Sequence, residues 1–272
     1  MRGETSLTSE RAAREKFAPK LKAKGLDAGR IADELFGFTQ ILDTNIKLER
    51  ALTDTSRPAA DKTRLVTDIV SNAVDPLTVE ILSDLAARRW SRIAHIANAT
   101  EDLAIDAQLY QADAMGCTGQ VAVELAKIHS ALLNLSVLRS ELSDPQSDPE
   151  RRVTLLDHLF DKDQLNPVTL KLAEQATRDL RNRRYLYTIQ WLIDKISEHC
   201  GETVVTVTSA VELSSEQIKR IIEIYSKKLN RPVHVNSVVD ASVLGGIRVQ
   251  YGAEVIDNTV VAKLKNLQRS VA

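Results

Sequence analysis

Histidine and cysteine are the residues of this chain whose chemistry would suit metal binding or acid–base catalysis. The histidines stand at positions 95, 129, 158, 199 and 234, and none belongs to an H-E-x-x-H or similar motif. Cys117 and Cys200 form no C-x-x-C pair and have no histidine at ligand spacing, so we interpret them as buried or idle thiols. A G-x-S-x-G nucleophile motif is absent as well. The sequence therefore predicts no metal, no cofactor and no local catalytic constellation.

A glycine pair, Gly245-Gly246, is a place where the backbone could approach a phosphate group. A phosphate-binding P-loop needs G-x-x-x-x-G-K-[ST], whereas Ile247, Arg248 and Val249 follow this pair in a strand-like pattern. We therefore predict a turn or a bulge here.

The basic cluster Arg181, Arg183 and Arg184, which Tyr185 and Tyr187 flank, is the best candidate for a nucleic-acid contact. A similar run, Arg88-Arg89-Trp90, stands at the matching place earlier in the chain. This recurrence favours a helix C-terminus complemented by cations, followed by an aromatic residue in the core. With a formal net charge of −1, the chain also lacks the broad positive electrostatic field of a nucleic-acid-binding protein.

Composition favours a mainly helical protein of two or three compact units. The chain has 272 residues, of which 43% are hydrophobic and only 4% aromatic. No segment approaches 18 uninterrupted apolar residues, and the first 17 positions contain no apolar signal region. We expect no direct membrane insertion, so that any membrane association would depend on partners.

Apolar residues at helical spacing follow the same order twice in the first 200 positions. One stripe predicts a long helix; its members are Ile31, Leu35, Phe38, Leu42, Ile46, Leu48 and Leu52. Matching residues recur 90 positions later, Asp75-Pro76 recurs as Asn166-Pro167 at offset 91, and Arg89-Trp90 matches Arg184-Tyr185 at offset 95. The repeat predicts an internal duplication, with two tandem helical bundles of about six short helices each.

The hydrophobic period changes from helical to alternating at about Gly201. Thr203 to Leu213 alternates apolar and polar residues, which predicts a half-buried strand, and Ser214 with Gln217 forms a capping box for a helix. Further strands and a last helix follow; the residues that open and line that helix are Asp257, Asn258, Thr259, Val260, Val261, Leu264 and Leu267. The sequence thus predicts a small α+β C-terminal domain with a mixed sheet.

Two motifs in the last 70 residues resemble the signature of a known family. They read D-x-S-V-L-G-G-I-x-V, from Asp240 to Val249, and V-I-D-x-T-V-x-x-K-L-x-x-L, from Val255 to Leu267. This order resembles the δ subunit of bacterial F-type ATP synthase, the counterpart of the mitochondrial oligomycin-sensitivity-conferring protein. Family members commonly have Gly-Ser after the aspartate, where this chain has Asn258-Thr259.

The resemblance implies a non-catalytic, cofactor-free stator subunit. Such a subunit links the catalytic head to the b-type peripheral stalk, at the cytoplasmic face of the cell membrane, and resists rotation during ATP synthesis and hydrogen ion transport. The resemblance covers the C-terminal region and, by position and pattern, the second helical copy. The first copy lies outside it and resembles the added domain of long actinobacterial members.

The resemblance also implies a partner site. In the family, the N-terminal helix of a catalytic α subunit lies between the first and fifth helices of the helical domain, while the C-terminal domain meets the b-type stalk. Carried over to this chain, the partner-binding residues are Leu103, Ala107 and Tyr110 in the first helix, and Leu170, Leu172, Ala173 and Ala176 in the fifth. For each of these residues, the competing interpretation is that its side chain packs in the core of the helical bundle.

The expected domains are residues 1–103 for the first bundle, 104–199 for the second and 200–272 for the α+β part. Two other functions stay open at this point. One is an RNA-binding or regulatory helical adaptor that uses the arginine cluster, although we expect no nucleic acid for a stator subunit. The other is a helical enzyme with a site assembled from dispersed residues.

Overall fold

The computed structural model describes residues 3–70, 74–160, 163–201, 203–252, 254–260 and 262. The chain divides into two compact units, Met1–Gly116 and Cys117–Ala272. Among the described residues, no helix has the length and apolarity that a bilayer crossing requires. The same residues contain no cluster of three or more histidine, cysteine or acidic side chains suited to a metal ion.

The first unit is a helical bundle. Its helices are α1 (Glu4–Lys24), α2 (Ala28–Thr44), α3 (Ile46–Thr53), α4 (Ala59–Val70), α5 (Pro76–Ala87) and α6 (His95–Ala114). Helix α6 packs against α1, α2, α3 and α5, so it forms the centre of the bundle. Ile31 and Leu35 are fully buried, as expected from the predicted apolar stripe, and so is Phe17 of α1.

The long helix predicted from Ile31 to Leu52 is in fact two helices. The side chain of Asn45 accepts a hydrogen bond from the Leu48 backbone N–H at 3.1 Å and so begins α3 as an N-cap. Ile46, which fitted the apolar stripe, is 51% exposed. A local cap therefore outweighs the continuous apolar spacing.

The helical part of the second unit consists of α7 (Thr118–Leu132), α8 (Ser136–Glu141), α9 (Pro149–Leu159), α10 (Pro167–Arg178) and α11 (Tyr185–Cys200). Helix α7 packs against α8, α10 and α11, and α10 also packs against α9 and α11. Leu125, Leu156 and Ile189 lie in this core with at most 1% of their surface exposed. The prediction of helical bundles followed by an α+β part is confirmed.

The duplication is visible in the helix starts. Helices α2, α3 and α4 begin at residues 28, 46 and 59, and α7, α8 and α9 begin at residues 118, 136 and 149, each 90 positions later. The predicted pairing of Trp90 with Tyr185 is wrong, because Trp90 precedes α6 whereas Tyr185 opens α11. By the same offset α1 corresponds to α6, which is therefore both the last helix of the first bundle and the first helix of the second copy.

The copies also share hydrogen bonds. Glu34 accepts from the backbone N–H of Asp75, and Glu124 accepts from that of Asn166, both at 2.9 Å. Asp75 and Asn166 then cap α5 and α10. Equivalent side chains thus hold equivalent helix starts, as a duplicated sequence should.

The predicted boundary between residues 103 and 104 falls inside α6. No glycine or proline interrupts the chain from His95 to Ala114, so the helix runs to Ala114. The left-handed Gly116 follows two residues later, and the compact units divide after it. At the other predicted boundary, α11 ends at Cys200, Gly201 is left-handed, and the first strand begins at Thr203. Both parts lie in the second unit.

The C-terminal part is a mixed sheet with one helix. Its elements are β1 (Thr203–Ser209), α12 (Ser215–Leu229), β2 (Val233–Val239), β3 (Ile247–Tyr251) and β4 (Glu254–Asp257). The strand order is β2-β1-β3-β4, with β1 parallel to β2 and the other neighbours antiparallel. Val205, Val207, Val249 and Ile221 of α12 share a core, and β1 and β2 also contact α7.

In this C-terminal part, one prediction is wrong and another is confirmed. The strand predicted to reach Leu213 ends at Ser209, whose hydroxyl donates to the Val211 carbonyl at 2.6 Å, and Val211 is 70% exposed. The predicted capping box at Ser214 and Gln217 is present. In the last predicted helix, Val261, Leu264 and Leu267 lie outside the described residues.

Candidate partner-binding site

Most of the predicted partner-binding residues are core residues. Five of the seven have at most 4% of their surface exposed; they are Leu103, Ala107, Leu172, Ala173 and Ala176. Tyr110 on α6 and Leu170 on α10 are half-buried. The seven residues also belong to different compact units, because α6 lies in the first and α10 in the second.

The equivalent residues of the first copy are buried in the same way. Ninety positions before Leu103 and Ala107 stand Ala13 and Phe17, which are fully buried. The residues equivalent to Leu172, Ala173 and Ala176, at offset 91, are Ile81, Leu82 and Leu85, and all three lie in the core of the first bundle. For these five residues the bundle-core interpretation therefore accounts for the apolar side chain, which leaves Tyr110 and Leu170 as accessible candidates.

In the first bundle, ion pairs close the seam that corresponds to the predicted groove. Among the described residues, three pairs join α1 to α5; they are Lys16–Asp84 at 2.7 Å, Lys20–Glu80 at 2.6 Å and Lys24–Asp75 at 2.8 Å. The lysines are spaced four residues apart, so they lie along one face of α1. We call these three pairs the α1–α5 ladder. A helix that entered this seam would have to displace the ladder.

The second copy does not repeat the ladder in its sequence. Positions 16, 20 and 24 become Asp106, Tyr110 and Ala114, and positions 84, 80 and 75 become Gln175, Lys171 and Asn166. The carboxylate of Asp106 is bound by Arg14 of the first bundle, at 2.6 and 2.7 Å. Burial, with the charges of Asp106 and Asp113, raises the pKa of Tyr110, so its phenol stays neutral.

The most enzyme-like cluster among the described residues was not predicted. His95 Nδ1 lies 2.8 Å from Ser6 Oγ and 3.2 Å from Ser91 Oγ. Ser6 is fully buried, so a substrate has no access to its hydroxyl. The cluster joins α1 to the start of α6, and local spacing could not reveal it because its members are distant in sequence. Cys117 is buried and Cys200 is exposed, and within the described part of the chain they form no disulfide with each other.

The arginine cluster does not form a continuous basic surface. The guanidinium carbon of Arg183 lies 4.9 Å from the ring centre of Trp191, and the Nε atoms of Arg181 and Arg183 are buried. Arg184 is exposed. A track for successive phosphates needs several accessible cations, so this arrangement gives no support to RNA binding.

The C-terminal signature residues hold the end of the sheet together. The Asn258 and Val260 N–H groups donate to the carbonyls of Ile247 and Gly245 at 3.1 and 3.0 Å. Gly246 has φ +77°, and a Cβ atom there would lie 2.5 Å from the Asn258 carbonyl oxygen. The glycine pair is therefore a turn, as predicted, and its role is architectural.

Comparison with known proteins identifies the relatives of this chain. The family model for the ATP synthase delta (OSCP) subunit matches residues 106–271. ATP synthase subunit delta of Bifidobacterium longum subsp. infantis is 56% identical over 100% of this chain and 98% of the relative. ATP synthase subunit delta of Beutenbergia cavernae is 32% identical, with 98% of each chain covered. The similarity to these relatives therefore includes the first helical copy.

One solved structure is also similar. A chain in the cryo-EM structure of the Toxoplasma gondii mitochondrial ATP synthase hexamer has 17% sequence identity and a TM-score of 0.30, covering 54% of this chain and 83% of that chain. A score this low carries no argument about the fold.

Proposed function

The chain belongs to the ATP synthase delta (OSCP) subunit family, and from this premise we propose that it is a non-catalytic part of the stator. In this role it ties the catalytic head to the b-type peripheral stalk at the cytoplasmic face of the membrane, and it keeps the head from turning with the rotor. Close-packed helical bundles suit this task, because tightly packed cores resist deformation.

The α-subunit contact belongs to the second helical copy in this proposal. The observation that carries it is the α1–α5 ladder, which closes the equivalent seam of the first copy, together with the replacement of Lys20 and Glu80 by Tyr110 and Lys171. Leu170 of α10 then contacts an apolar face of the N-terminal helix of the α subunit. The buried residues of α10 support that surface from the core of the second unit.

The stalk contact belongs to the C-terminal domain, which we propose to begin at residue 200. This small part of the chain exposes several large apolar side chains, each at least 51% accessible; they are Val211, Ile224, Val239, Leu244 and Val255. A contact with the stalk would bury such side chains, and burial of apolar surface favours association. Several moderate contacts of one subunit then act together, so that release requires loss of all of them.

The groove is tested by titrating the full chain with a peptide of the α-subunit N-terminus. Leu170→Glu should weaken binding at least about tenfold, because it places a charge in an apolar contact. Val79→Glu is the matched control, since Val79 is the half-buried equivalent of Leu170 in the first copy. Loss of binding in the Val79 variant alone would place the groove in the first copy, and no saturable binding by the parent chain would end the groove hypothesis.

The stator role has its own test. Membranes whose ATP synthase lacks this chain should lose proton-coupled ATP synthesis, whereas the detached catalytic head should keep its rate of ATP hydrolysis. Hydrolysis that depended on the chain would contradict a purely mechanical role.

A further inference from the structure

A cleft of about 480 Å³ opens beside α8 in the second unit. Two arginines and three serines line it, together with one carboxylate; the residues used below are Ser136, Arg139, Ser140, Ser143, Asp144 and Arg184. Ser136, Arg139 and Ser140 belong to α8, and Arg184 belongs to the loop that precedes α11. Neither Tyr110 nor Leu170 lines the cleft, so the inference does not rest on the proposed function.

The loop that carries Arg184 has an uncommon backbone. Arg181 and Asn182 both adopt positive φ angles, 44° and 60°, and neither is glycine. Two consecutive left-handed non-glycine residues are unfavourable and tend to occur where a site depends on them. The equivalent loop of the first copy, residues 88–94, contains no positive φ. In the same loop, Arg183 lies over the ring of Trp191 and Arg184 lines the cleft.

The cleft has positive charge that its own residues do not neutralise. The Nε atom of Arg139 is buried and has no hydrogen-bond partner within the described part of the chain. Asp144 already accepts through Oδ1 from the Gln146 N–H at 2.9 Å. Two guanidinium groups thus face one carboxylate. A carboxylate that entered the cleft from outside would balance the second guanidinium group.

Neutral donors accompany the two arginines. The Ser143 hydroxyl oxygen accepts from the Tyr185 backbone N–H at 3.0 Å, which leaves its own hydrogen available for donation. Ser136 and Ser140 are exposed at the same cleft. Guanidinium and hydroxyl donors together form the donor set that recognises a carboxylate.

Apolar side chains in the cleft indicate the kind of ligand. Pro145 and Leu186 line it beside the polar residues. A free anion would not use them, and a nucleic acid would need a longer row of cations. We propose that this cleft binds a glutamate or aspartate side chain of an acidic, partly apolar segment of a partner polypeptide.

The test uses the full chain and two blocked peptides, one of alternating glutamate and leucine and the other with glutamine in place of glutamate. NMR titration should show that the glutamate peptide binds at least about tenfold more tightly and shifts the amide signals of Ser140 and Ser143. Arg184→Gln should reduce its affinity to that of the glutamine peptide. Arg184 is exposed, so this variant should keep the fold, and Arg151→Gln, at an exposed position on α9, is the matched control.

Each contrary result overturns the proposal. Equal binding of both peptides would exclude carboxylate recognition, and unchanged affinity in Arg184→Gln would place the binding elsewhere. An oligouridylate that bound the Arg184 surface more tightly than the glutamate peptide would identify a nucleic-acid site instead. Absence of saturable binding by the glutamate peptide would also reject the cleft as a site.

Discussion

The guanidinium of Arg152 donates a hydrogen bond to the carbonyl oxygen of Arg178 at 3.2 Å, at the C-terminal end of α10. In the first bundle, Lys62 donates to the carbonyl oxygen of Arg88 at 3.4 Å, at the end of α5. The donors and the acceptors are each 90 positions apart, and both cations are 4% exposed. A buried cation under the end of the fifth helix is thus common to both copies, and it satisfies carbonyls that the helix leaves unpaired.

We predict that Arg152→Met lowers the free energy of unfolding by about 3 kcal/mol. Arg152 also donates to the carbonyls of Thr177 and Asp144, each at 2.9 Å, and to that of Ser147, and all of these would lose a partner. Urea unfolding followed by circular dichroism measures the change. Arg151→Met, at the exposed neighbouring position, should change stability by less than about 0.5 kcal/mol. Similar losses in both variants would contradict the role of the buried guanidinium.

Asp75 provides a prediction about pH. Burial raises the pKa of its carboxyl, but the Lys24 ammonium and the Leu77 N–H outweigh burial, so the pKa lies below its usual value. Its contribution to stability is therefore present above a pH of roughly 4 and is lost as the pH falls through the folded-state pKa. Asp75→Asn should keep the cap, as Asn166 does in the second copy, and should lose the charge pair with Lys24.

At neutral pH the Asp75→Asn variant should be less stable than the parent chain by up to about 1 kcal/mol, because the ion pair is partly exposed. The difference should shrink as the pH falls below about 4 and should vanish once the carboxyl of the folded parent chain is protonated. Urea midpoints at several pH values provide the measurement. A difference that stayed constant across this range would mean that the ion pair contributes nothing.

Local signals in the sequence predicted the fold well. Asp75-Pro76 and Asn166-Pro167 mark helix starts because an Asx cap and a proline act within a few residues. The break at Asn45 was missed for the opposite reason, since Ile46 continues the apolar spacing and hides a cap that uses one side-chain oxygen. The spacing of apolar residues indicates which face of a helix is buried, but it does not indicate where one helix ends and the next begins.

The candidate site was harder to predict. Leu103 and Ala107 have the spacing of a groove and also that of a core, and only their burial distinguishes the two. The α1–α5 ladder needed knowledge of which helices are neighbours, because Lys16 and Asp84 are 68 positions apart. Distant pairs of this kind depend on tertiary packing, which a single sequence does not state.

His129 on α7 gives a third prediction. It is 8% exposed, and burial lowers its pKa because the imidazolium loses hydration. The unfolded chain therefore takes up a proton at a higher pH than the folded chain does, so this residue reduces stability as the pH falls below about 6.5. His129→Gln should remove that dependence, which amounts to at most about 1.4 kcal/mol per pH unit.

The measurement for His129 is the change in unfolding free energy between a pH of about 7.5 and a pH of about 5.5. The parent chain should lose more stability over this interval than His129→Gln does. His158→Gln, at an exposed position on α9, should follow the parent chain. A His129 variant with the same pH dependence as the parent would show that this imidazole is protonated in the folded protein.

Gly246 gives the last prediction, which concerns the C-terminal signature. An alanine at this position would combine a left-handed backbone with a Cβ atom 2.5 Å from the Asn258 carbonyl oxygen, so Gly246→Ala should cost about 3 kcal/mol. Gly252 is the control, because it is also left-handed, at φ +53°, but a Cβ atom there would meet no atom of the described residues within 4 Å. Gly252→Ala should cost only about 1 kcal/mol, the penalty for the backbone alone. Urea unfolding of both variants measures the difference, and equal costs would show that the contact between the glycine turn and Asn258 does not constrain this part of the sheet.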